Sequence, residues 1–252
     1  MGSNYILQVE DTVVSFDGFR VLDGLNLAVS YGELRFLIGP NGAGKTTLLD
    51  MLTGKVRPVS GRVLYDGLTD ITRLQEHQLV RRGIGRKFQT PSVYASLSCA
   101  QNLEVALGFR RRTLALLRGV GRAERERIHA TLEQVGLRTR AATVAGILSH
   151  GEKQWLEIGM LLVQEPKLIL LDEPVAGMTR REREKTGDLL HALETKHTII
   201  VTEHDMDFVR NFSRTVTVMH MGQVIAEGPM ERVQHDPRVI EVYLGRAKEH
   251  VA

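Results

Sequence analysis

The pattern of hydrophobic and polar positions in the first third of the chain predicts β-strands. Short runs in which apolar and polar residues alternate are separated by glycines, as in hairpins and sheets. The predicted strands are Ile6–Val9, Thr12–Phe16, Leu25–Val29, Leu34–Ile38 and Arg62–Tyr65. Directly after Gly39 the spacing becomes helical, from Lys45 to about Gly54.

The middle of the chain has helical spacing, and strands return after it. The predicted helices are Leu74–Arg82, Ser98–Leu107, Arg122–Val135 and Glu152–Val163. The later strands are Leu168–Leu171 and Thr198–Val201, followed by a hairpin of Val216–His220 and Gln223–Glu227 and a short helix, Pro237–Leu244. The pattern therefore predicts an α/β core with a helical insertion.

Composition agrees with one globular domain. The chain has 252 residues, of which 42% are hydrophobic and 25% charged, so a disordered or fibrous protein is excluded. The lone Cys99 predicts neither an internal disulfide nor a cysteine-based metal site, and favours a reducing compartment. No apolar run approaches ~18 residues and the first ten residues lack a secretory pattern, which predicts a soluble, cytosolic protein.

The net charge of +3 is too small to indicate nucleic-acid binding by itself. The most basic stretch has no interleaved aromatic residues; it consists of Arg110, Arg111, Arg112, Arg118, Arg122, Arg125 and Arg127. A solvated helix face is the favoured interpretation. Contact with lipid head groups or a membrane partner comes second, and nucleic acid last.

The segment after the Leu34–Ile38 strand fits the phosphate-binding pattern GxxxxGK[ST]. The candidate nucleotide-binding residues are Gly39, Pro40, Asn41, Gly42, Ala43, Gly44, Lys45, Thr46 and Thr47. The glycines allow the backbone N–H groups to point inward at phosphate oxygens, and the new helix adds its positive end. Lys45 is expected to neutralise the β- and γ-phosphates, and the Thr46 hydroxyl to bind Mg²⁺.

An acidic pair ends the apolar strand Leu168–Leu171. Asp172 is expected in the Mg²⁺ shell, and Glu173, one residue further, beside the attacking water. Together with the phosphate loop, this pair indicates a nucleoside triphosphatase or a kinase.

Leu148-Ser149-His150-Gly151-Glu152, just before a predicted helix, resembles the signature loop of ATP-binding cassette proteins, usually written LSGGQ. Other family elements follow the same order. Gln89 matches the Q-loop, His204 the switch histidine, and residues 175–178 the D-loop. Phe16 is the candidate for the aromatic side chain that stacks on adenine, with Phe19 as the second choice.

This resemblance implies an ABC-type P-loop NTPase nucleotide-binding domain with an N-terminal antiparallel β subdomain and a helical insertion. Within the single domain 1–252, the implied parts are the core at 1–89 and 165–230, a helical signature subdomain at 90–164, and a short C-terminal helix at 231–252. The implied cofactors are ATP and Mg²⁺. The implied catalytic residues are Glu173, His204, Gln89 and Lys45, and the implied metal ligands are Thr46, Gln89 and Asp172.

The resemblance also implies a head-to-tail dimer in which ATP lies between one phosphate loop and the other subunit's signature. Ser149, Gly151 and Glu152 are the expected nucleotide contacts there. His150 and Glu152 replace the usual glycine and glutamine, but the contacting groups are Ser149 and backbone, so function is expected to persist. Met178 stands where many D-loops carry aspartate, which weakens the expectation of a D-loop contact across the dimer.

Segments outside the nucleotide site suggest a branch of the family. Residues 83–89 and 236–245 resemble the ATPase subunits of hydrophobic amino-acid and amide importers. Residues 149–160, which include Trp155, and residues 173–179 look most like the urea branch. The sequence therefore predicts an importer of urea or short amides, with a branched-chain amino-acid importer as the alternative.

The partners implied by the resemblance are a paralogous ATPase subunit, two permease subunits of the inner membrane and, indirectly, a periplasmic solute-binding protein. The chain would then lie peripherally on the cytoplasmic face of that membrane, with the surface around Gln89–Gln101 receiving a permease helix. No nucleic-acid partner is expected. A soluble cassette acting on ribosomes or DNA lacks support because no second cassette or long linker is visible, and a kinase would leave Leu148–Glu152 and His204 unexplained.

Overall fold

The computed structural model describes residues 4–67, 69–87, 92–108 and 121–249, and its strands form two sheets. The strands are β1 (Tyr5–Phe16), β2 (Phe19–Ser30), β3 (Leu34–Ile38), β4 (Ser60–Tyr65), β5 (Thr69–Asp70), β6 (Ile84–Lys87), β7 (Leu168–Asp172), β8 (Thr198–Thr202), β9 (Thr215–His220) and β10 (Gln223–Gly228). The helices are α1 (Lys45–Leu52), α2 (Glu76–Arg81), α3 (Cys99–Gly108), α4 (Arg122–Gln134), α5 (His150–Leu162), α6 (Arg180–Leu193), α7 (Met206–Phe212), α8 (Met230–Val233) and α9 (Pro237–Glu249).

The larger sheet determines where the functional residues meet. Its order is β10-β9-β3-β8-β7-β6, and all neighbours are parallel except the β9–β10 hairpin. Every residue of β3, β7 and β8 is buried, as expected when helices cover both faces of a parallel sheet. The carboxyl ends of these three central strands therefore lie side by side at one edge, where ligands bind in open α/β sheets.

The smaller sheet is antiparallel, with the order β2-β1-β4-β5. Its first strand spans what the sequence suggested were two strands, because the break at Asp11 is an irregularity within one strand. Asp11 has a left-handed φ of 44°, and its N–H donates to the Asn26 side chain at 3.0 Å. The register shifts there, but pairing with β2 and β4 continues on both sides.

The predicted helical insertion is present. Helices α3, α4 and α5 pack on one another through buried residues that include Leu103, Leu132 and Leu156, which join the same core as β3 and β7. Five elements were not predicted from the sequence: strands β5 and β6 and helices α6, α7 and α8.

Two surface expectations concern the membrane and the basic stretch. Across the described ranges, no helix combines the length and hydrophobicity needed to cross a bilayer. Four of the arginines in the basic stretch lie outside the described residues: Arg110, Arg111, Arg112 and Arg118. Of the others, Arg122 pairs with Glu126 at 2.9 Å and Arg127 with Glu165 at 3.4 Å, which supports a solvated helix face.

Candidate functional site

The phosphate loop lies between β3 and α1, and its curled backbone depends on glycine. Gly39, Gly42 and Gly44 have φ values of 150°, 80° and 100°. The loop is supported from outside, because the Gly222 N–H donates to the Ala43 carbonyl at 3.1 Å. The sequence prediction of a strand–loop–helix unit at this position is confirmed.

Substituting alanine for Gly39 is expected to destabilise the fold more than the same change at Gly42. Both positions have positive φ, which strains any L side chain by about 1–3 kcal/mol. A Cβ at Gly39 would also lie 2.2 Å from the Met219 carbonyl oxygen, whereas one at Gly42 would meet nothing within 4 Å. Thermal unfolding of Gly39→Ala and Gly42→Ala measures the difference. Equal melting temperatures would contradict the proposed backbone clash.

Lys45, the first residue of α1, turns its side chain back into the loop. Its Nζ donates to the Gly39 carbonyl at 2.6 Å and to the Pro40 carbonyl at 3.1 Å. The ammonium group is therefore held where the loop amides and the α1 N-terminus also concentrate positive charge. Such an arrangement suits a polyphosphate.

Asp172 ends β7 with its carboxylate held from two sides. One oxygen accepts from the Thr202 hydroxyl at 2.6 Å, and the other pairs with Arg86 at 3.1 Å. Arg86 also pairs with Asp50 of α1 at 2.5 Å, and its own side chain is only 4% exposed. The aspartate is thus tied to the neighbouring strand and, through Arg86, to the helix that follows the phosphate loop.

Glu173 follows Asp172 in a strained backbone conformation. Its φ of 46° is left-handed, and its N–H donates to the Thr202 carbonyl at 3.0 Å. Positive φ at a residue other than glycine is costly and is concentrated at functional sites. The conformation directs the chain away from β7 directly after Asp172, and Glu173 Oε1 lies 3.4 Å from His204 Nδ1.

A buried carboxylate, Glu203, organises the segment around His204. It accepts from the Val175 N–H at 3.2 Å through one oxygen and from the His204 N–H at 3.2 Å through the other. Burial raises the pKa of this carboxyl, while these backbone hydrogen bonds oppose the shift. Glu203 therefore connects the backbone after Glu173 with that of the switch histidine.

One cavity of about 190 Å³ brings the central residues together. It is lined by Val21, Asn41, Gly42, Ala43, Gly44, Lys45, Thr46, Thr47, Asp172, Glu173 and Thr202. Thr46 and Asp172 thus place a hydroxyl and a carboxylate in the same space, an oxygen donor set that fits Mg²⁺ beside phosphates. The chemistry of this lining suits a polyphosphate and its cation.

The signature segment forms a separate helix N-terminus. Ser149 caps α5: its Oγ accepts from the Glu152 N–H at 3.1 Å, and the Glu152 carboxylate accepts from the Ser149 N–H at 2.9 Å. A Cβ at Gly151 would lie 2.4 Å from the Glu182 carboxylate, so α6 packs closely against this end of α5. The described residues that line the cavity beside the phosphate loop do not include Ser149, Gly151 or Glu152.

Two of the three departures from the family pattern, His150 and Met178, have partners within this chain. His150 Nε2 lies 3.1 Å from the Ala176 carbonyl, so the signature helix touches the D-loop of its own cassette. Met178 is buried, and its sulfur accepts from the Thr186 hydroxyl at 3.3 Å. The D-loop contact across the dimer stays a prediction.

The predicted Q-loop residue and the two aromatic candidates for adenine stacking are not among the described residues that line this cavity. Gln89 lies outside the described residues. Phe16 and Phe19 flank the turn between β1 and β2 and are 47% and 73% exposed, and neither lines the described cavity. Phe16 as the adenine-stacking residue stays a prediction.

Arg86, Thr202 and Glu203 are site residues that sequence reasoning missed. Thr202 and Glu203 directly precede His204, and Arg86 lies three residues before Gln89, so their positions beside recognised motifs were the available signal. Their roles depend on partners far away in the chain, which a linear pattern does not reveal.

Comparison with known proteins gives two family matches and a consistent set of relatives. Residues 22–176, more than half of the chain, match the model described as ABC transporter, and residues 223–249 match that of the branched-chain amino acid ATP-binding cassette transporter. The chain is 34% identical to the high-affinity branched-chain amino acid transport ATP-binding protein BraF of Pseudomonas aeruginosa, over 97% of this chain and 100% of the relative. The same figures hold for the corresponding LivG protein of Escherichia coli.

Solved structures give the same fold. An ATP-binding cassette of an ABC transporter in its ADP conformation superposes with a TM-score of 0.84 and 33% identity, covering 96% of this chain and 100% of that one. A dimeric post-hydrolysis cassette bound to ADP and phosphate superposes with a TM-score of 0.76 and 26% sequence identity. The match covers 89% of this chain and 98% of that one.

Proposed function

The chain belongs to the ATP-binding subunits of ABC transporters, and on that premise we propose that its ATP hydrolysis powers the import of branched-chain amino acids. The observation that carries the proposal is the single cavity shared by Lys45, Asp172 and Glu173. The proposed substrate is taken from the relatives BraF and LivG, which are branched-chain amino acid transport ATP-binding proteins.

The geometry supports separate roles for the residues of the site in binding phosphate, cation and water. Lys45 and the loop N–H groups would bind the phosphates, and Thr46 and Asp172 would hold Mg²⁺; the position of the Lys45 ammonium in the loop and the shared cavity support these roles. When bound, the cation neutralises developing phosphate charge. Glu173 would orient or deprotonate the attacking water, and His204 would keep the Glu173 carboxylate in position, which their 3.4 Å separation supports.

The separation of the signature helix from the nucleotide cavity supports action as a head-to-tail dimer. Its capped N-terminus offers N–H groups to an anion that this chain's own phosphate loop does not hold. A paralogous ATPase subunit is the proposed second cassette. Closure around ATP and reopening after hydrolysis would then drive the permease.

An exposed apolar surface supports the proposed permease contact. The segments 92–98 and 144–147 are joined by hydrogen bonds, including Gly146 N–H to the Ala95 carbonyl at 2.9 Å. Tyr94, Val144 and Ile147 on these segments are 44%, 43% and 77% exposed. We propose that two inner-membrane permease subunits, served by a periplasmic solute-binding protein, dock a helix here from the cytoplasmic side.

Urea or a short amide, the substrate first predicted from the sequence, is the second candidate. Its support is confined to residues 149–160, with Trp155, and residues 173–179. The named relatives favour the alternative, branched-chain amino acids. ATPase subunits do not bind the solute, so this choice needs a transport measurement.

Uptake of labelled leucine and labelled urea by the source cells tests the proposal. With Glu173→Gln replacing the native subunit, leucine uptake is expected to be lost and urea uptake kept. The control, Glu165→Gln, changes a glutamate that also has left-handed φ but lies before β7 and is 64% exposed, so both uptakes should persist. Loss of urea uptake alone would identify urea as the substrate instead of branched-chain amino acids. Survival of both uptakes would contradict the importer role.

A further inference from the structure

Strand β6 carries two successive cations, Arg86 and Lys87. Because neighbouring side chains of a strand point to opposite faces, these two are directed into different layers. Arg86 pairs with Asp50 of α1 and with Asp172 of β7, on the nucleotide side of the sheet. Lys87 faces α5, the helix that begins at the signature, where its Nζ lies 3.6 Å from Glu157 Oε2.

The Lys87–Glu157 pair is unusual in its burial. Lys87 is fully buried and Glu157 is only 6% exposed, although such residues are rarely buried without a paired charge. Burial lowers the pKa of Lys87 and raises that of Glu157, and in each case the opposite charge counteracts the effect. The charges of Asp172 and Glu203 act in the same direction as that of Glu157 and favour the charged form of Lys87.

Glu157 attaches a second part of the chain to α5. Its Oε1 accepts from the Ser92 N–H at 3.2 Å, while its Oε2, among the described residues, has no hydrogen-bond partner. Lys87 and Ser92 lie on either side of residues 88–91. One carboxylate on the signature helix therefore holds the chain both before and after that segment.

We propose that Lys87 and Glu157 are positioning residues that transmit the state of the nucleotide site to the signature helix, a role that rests on the proposed function. A shift of Asp172 moves β6 through Arg86, and the same rigid strand moves α5 through Lys87. Buried ion pairs contribute little net stability compared with apolar residues of similar size. The pair's function is the geometry that it imposes between two layers.

Trp155 provides a reporter for this motion. It is the only tryptophan in the sequence and lies on α5, two residues before Glu157. Its indole N–H donates to the Thr186 hydroxyl of α6 at 2.9 Å, and its side chain is nearly buried. Displacement of α5 relative to α6 changes this environment, so the fluorescence of the full chain measures it directly.

The test compares Glu157→Gln and the double variant Lys87→Met/Glu157→Gln with wild type. Glutamine keeps an acceptor for Ser92, and the double variant removes both buried charges. The matched control is Arg127→Met, which breaks the exposed pair between α4 and Glu165. The measurements are melting temperature, affinity for a fluorescent ATP analogue, steady-state kcat and KM for ATP, and the change in Trp155 fluorescence on adding ATP and Mg²⁺.

We expect both variants to bind the analogue normally, and the double variant to melt close to wild type, while kcat falls by about tenfold and the fluorescence change shrinks. Arg127→Met should match wild type in every measurement. A folded variant with normal kcat and a normal fluorescence change would overturn the coupling role. A wild-type chain that does not hydrolyse ATP even with the paralogous ATPase subunit present would instead overturn the proposed function, and this inference with it.

Discussion

Replacing Glu173 by glutamine is expected to lower ATP turnover by at least about 100-fold while ATP binding persists. The amide cannot accept the proton of the attacking water, although it keeps nearly the same size and hydrogen-bonding reach. Lys45, Thr46 and Asp172, which line the cavity with Glu173, are unchanged. The variant therefore separates ATP binding from ATP hydrolysis, because it replaces only one carboxylate oxygen of Glu173 by an amide nitrogen.

The same variant should accumulate a closed dimer. If hydrolysis opens the cassettes, a site that binds ATP without hydrolysing it keeps them together, because ligand bound only to the dimer stabilises it. Size-exclusion chromatography of the chain mixed with the paralogous ATPase subunit, in ATP and Mg²⁺, is expected to show dimer for Glu173→Gln and mainly monomer for wild type. Phosphate release measures turnover in parallel.

Glu165→Gln is the matched control for Glu173→Gln. Glu165 also has a left-handed φ, of 51°, and also lies beside β7, but at the opposite end of the strand and paired with Arg127. Its replacement should leave turnover normal. Near-normal turnover in Glu173→Gln would contradict the assigned role of Glu173, and a slow Glu165→Gln would show that the loss of turnover is not specific to the Glu173 carboxylate.

The elements that were predicted correctly are those whose own residues carry the signal, without help from residues far away in the chain. Strands β3, β7 and β8 are continuous apolar runs, and their burial on both faces is what such runs require. The phosphate loop was predictable because its glycine positions and its lysine lie within eight residues.

Strand β6 was missed because Ile84–Lys87 contains a glycine and two cations, which argue against a buried strand. The strand is stabilised by parallel pairing with β7 and by carboxylates from α1, β7 and α5 that neutralise Arg86 and Lys87. Those partners are distant in sequence. No local pattern contains them.

Helix α6 was missed for a different reason. Its first half is almost entirely charged, which hides the apolar face formed later by Leu189, Leu190 and Leu193. A signal was present, because Thr179 and Glu182 form a capping box, with the Glu182 carboxylate accepting from the Thr179 N–H at 2.9 Å. The same helix packs against the signature segment, so the omission also hid the contact between Glu182 and Gly151.

Replacing Lys45 by alanine is expected to weaken ATP binding by about 10- to 100-fold, the usual value of hydrogen bonds made by a charged group. The ammonium already lies inside the phosphate loop, held by the Gly39 and Pro40 carbonyls. Exchanging these carbonyls for phosphate oxygens needs little movement of the side chain. Titration with a fluorescent ATP analogue measures the loss.

Lys55→Ala is the control for Lys45→Ala. Lys55 lies beyond the other end of α1 and is 48% exposed, so its loss should leave affinity unchanged. Without nucleotide, Lys45→Ala should melt close to wild type, and the rise in melting temperature that ATP gives the wild type should shrink. An unchanged affinity of Lys45→Ala for the ATP analogue would contradict the role of Lys45 in phosphate binding.

Oligomeric state distinguishes the Lys45 and Glu173 variants, although both lose turnover. Lys45→Ala fails before closure, because ATP that is not held cannot join a phosphate loop to a second signature. Glu173→Gln fails after closure, because the bound ATP remains intact. With ATP present, the first should therefore stay monomeric and the second dimeric. The reverse order would mean that binding depends on Glu173 and hydrolysis on Lys45, which is incompatible with their positions in the cavity.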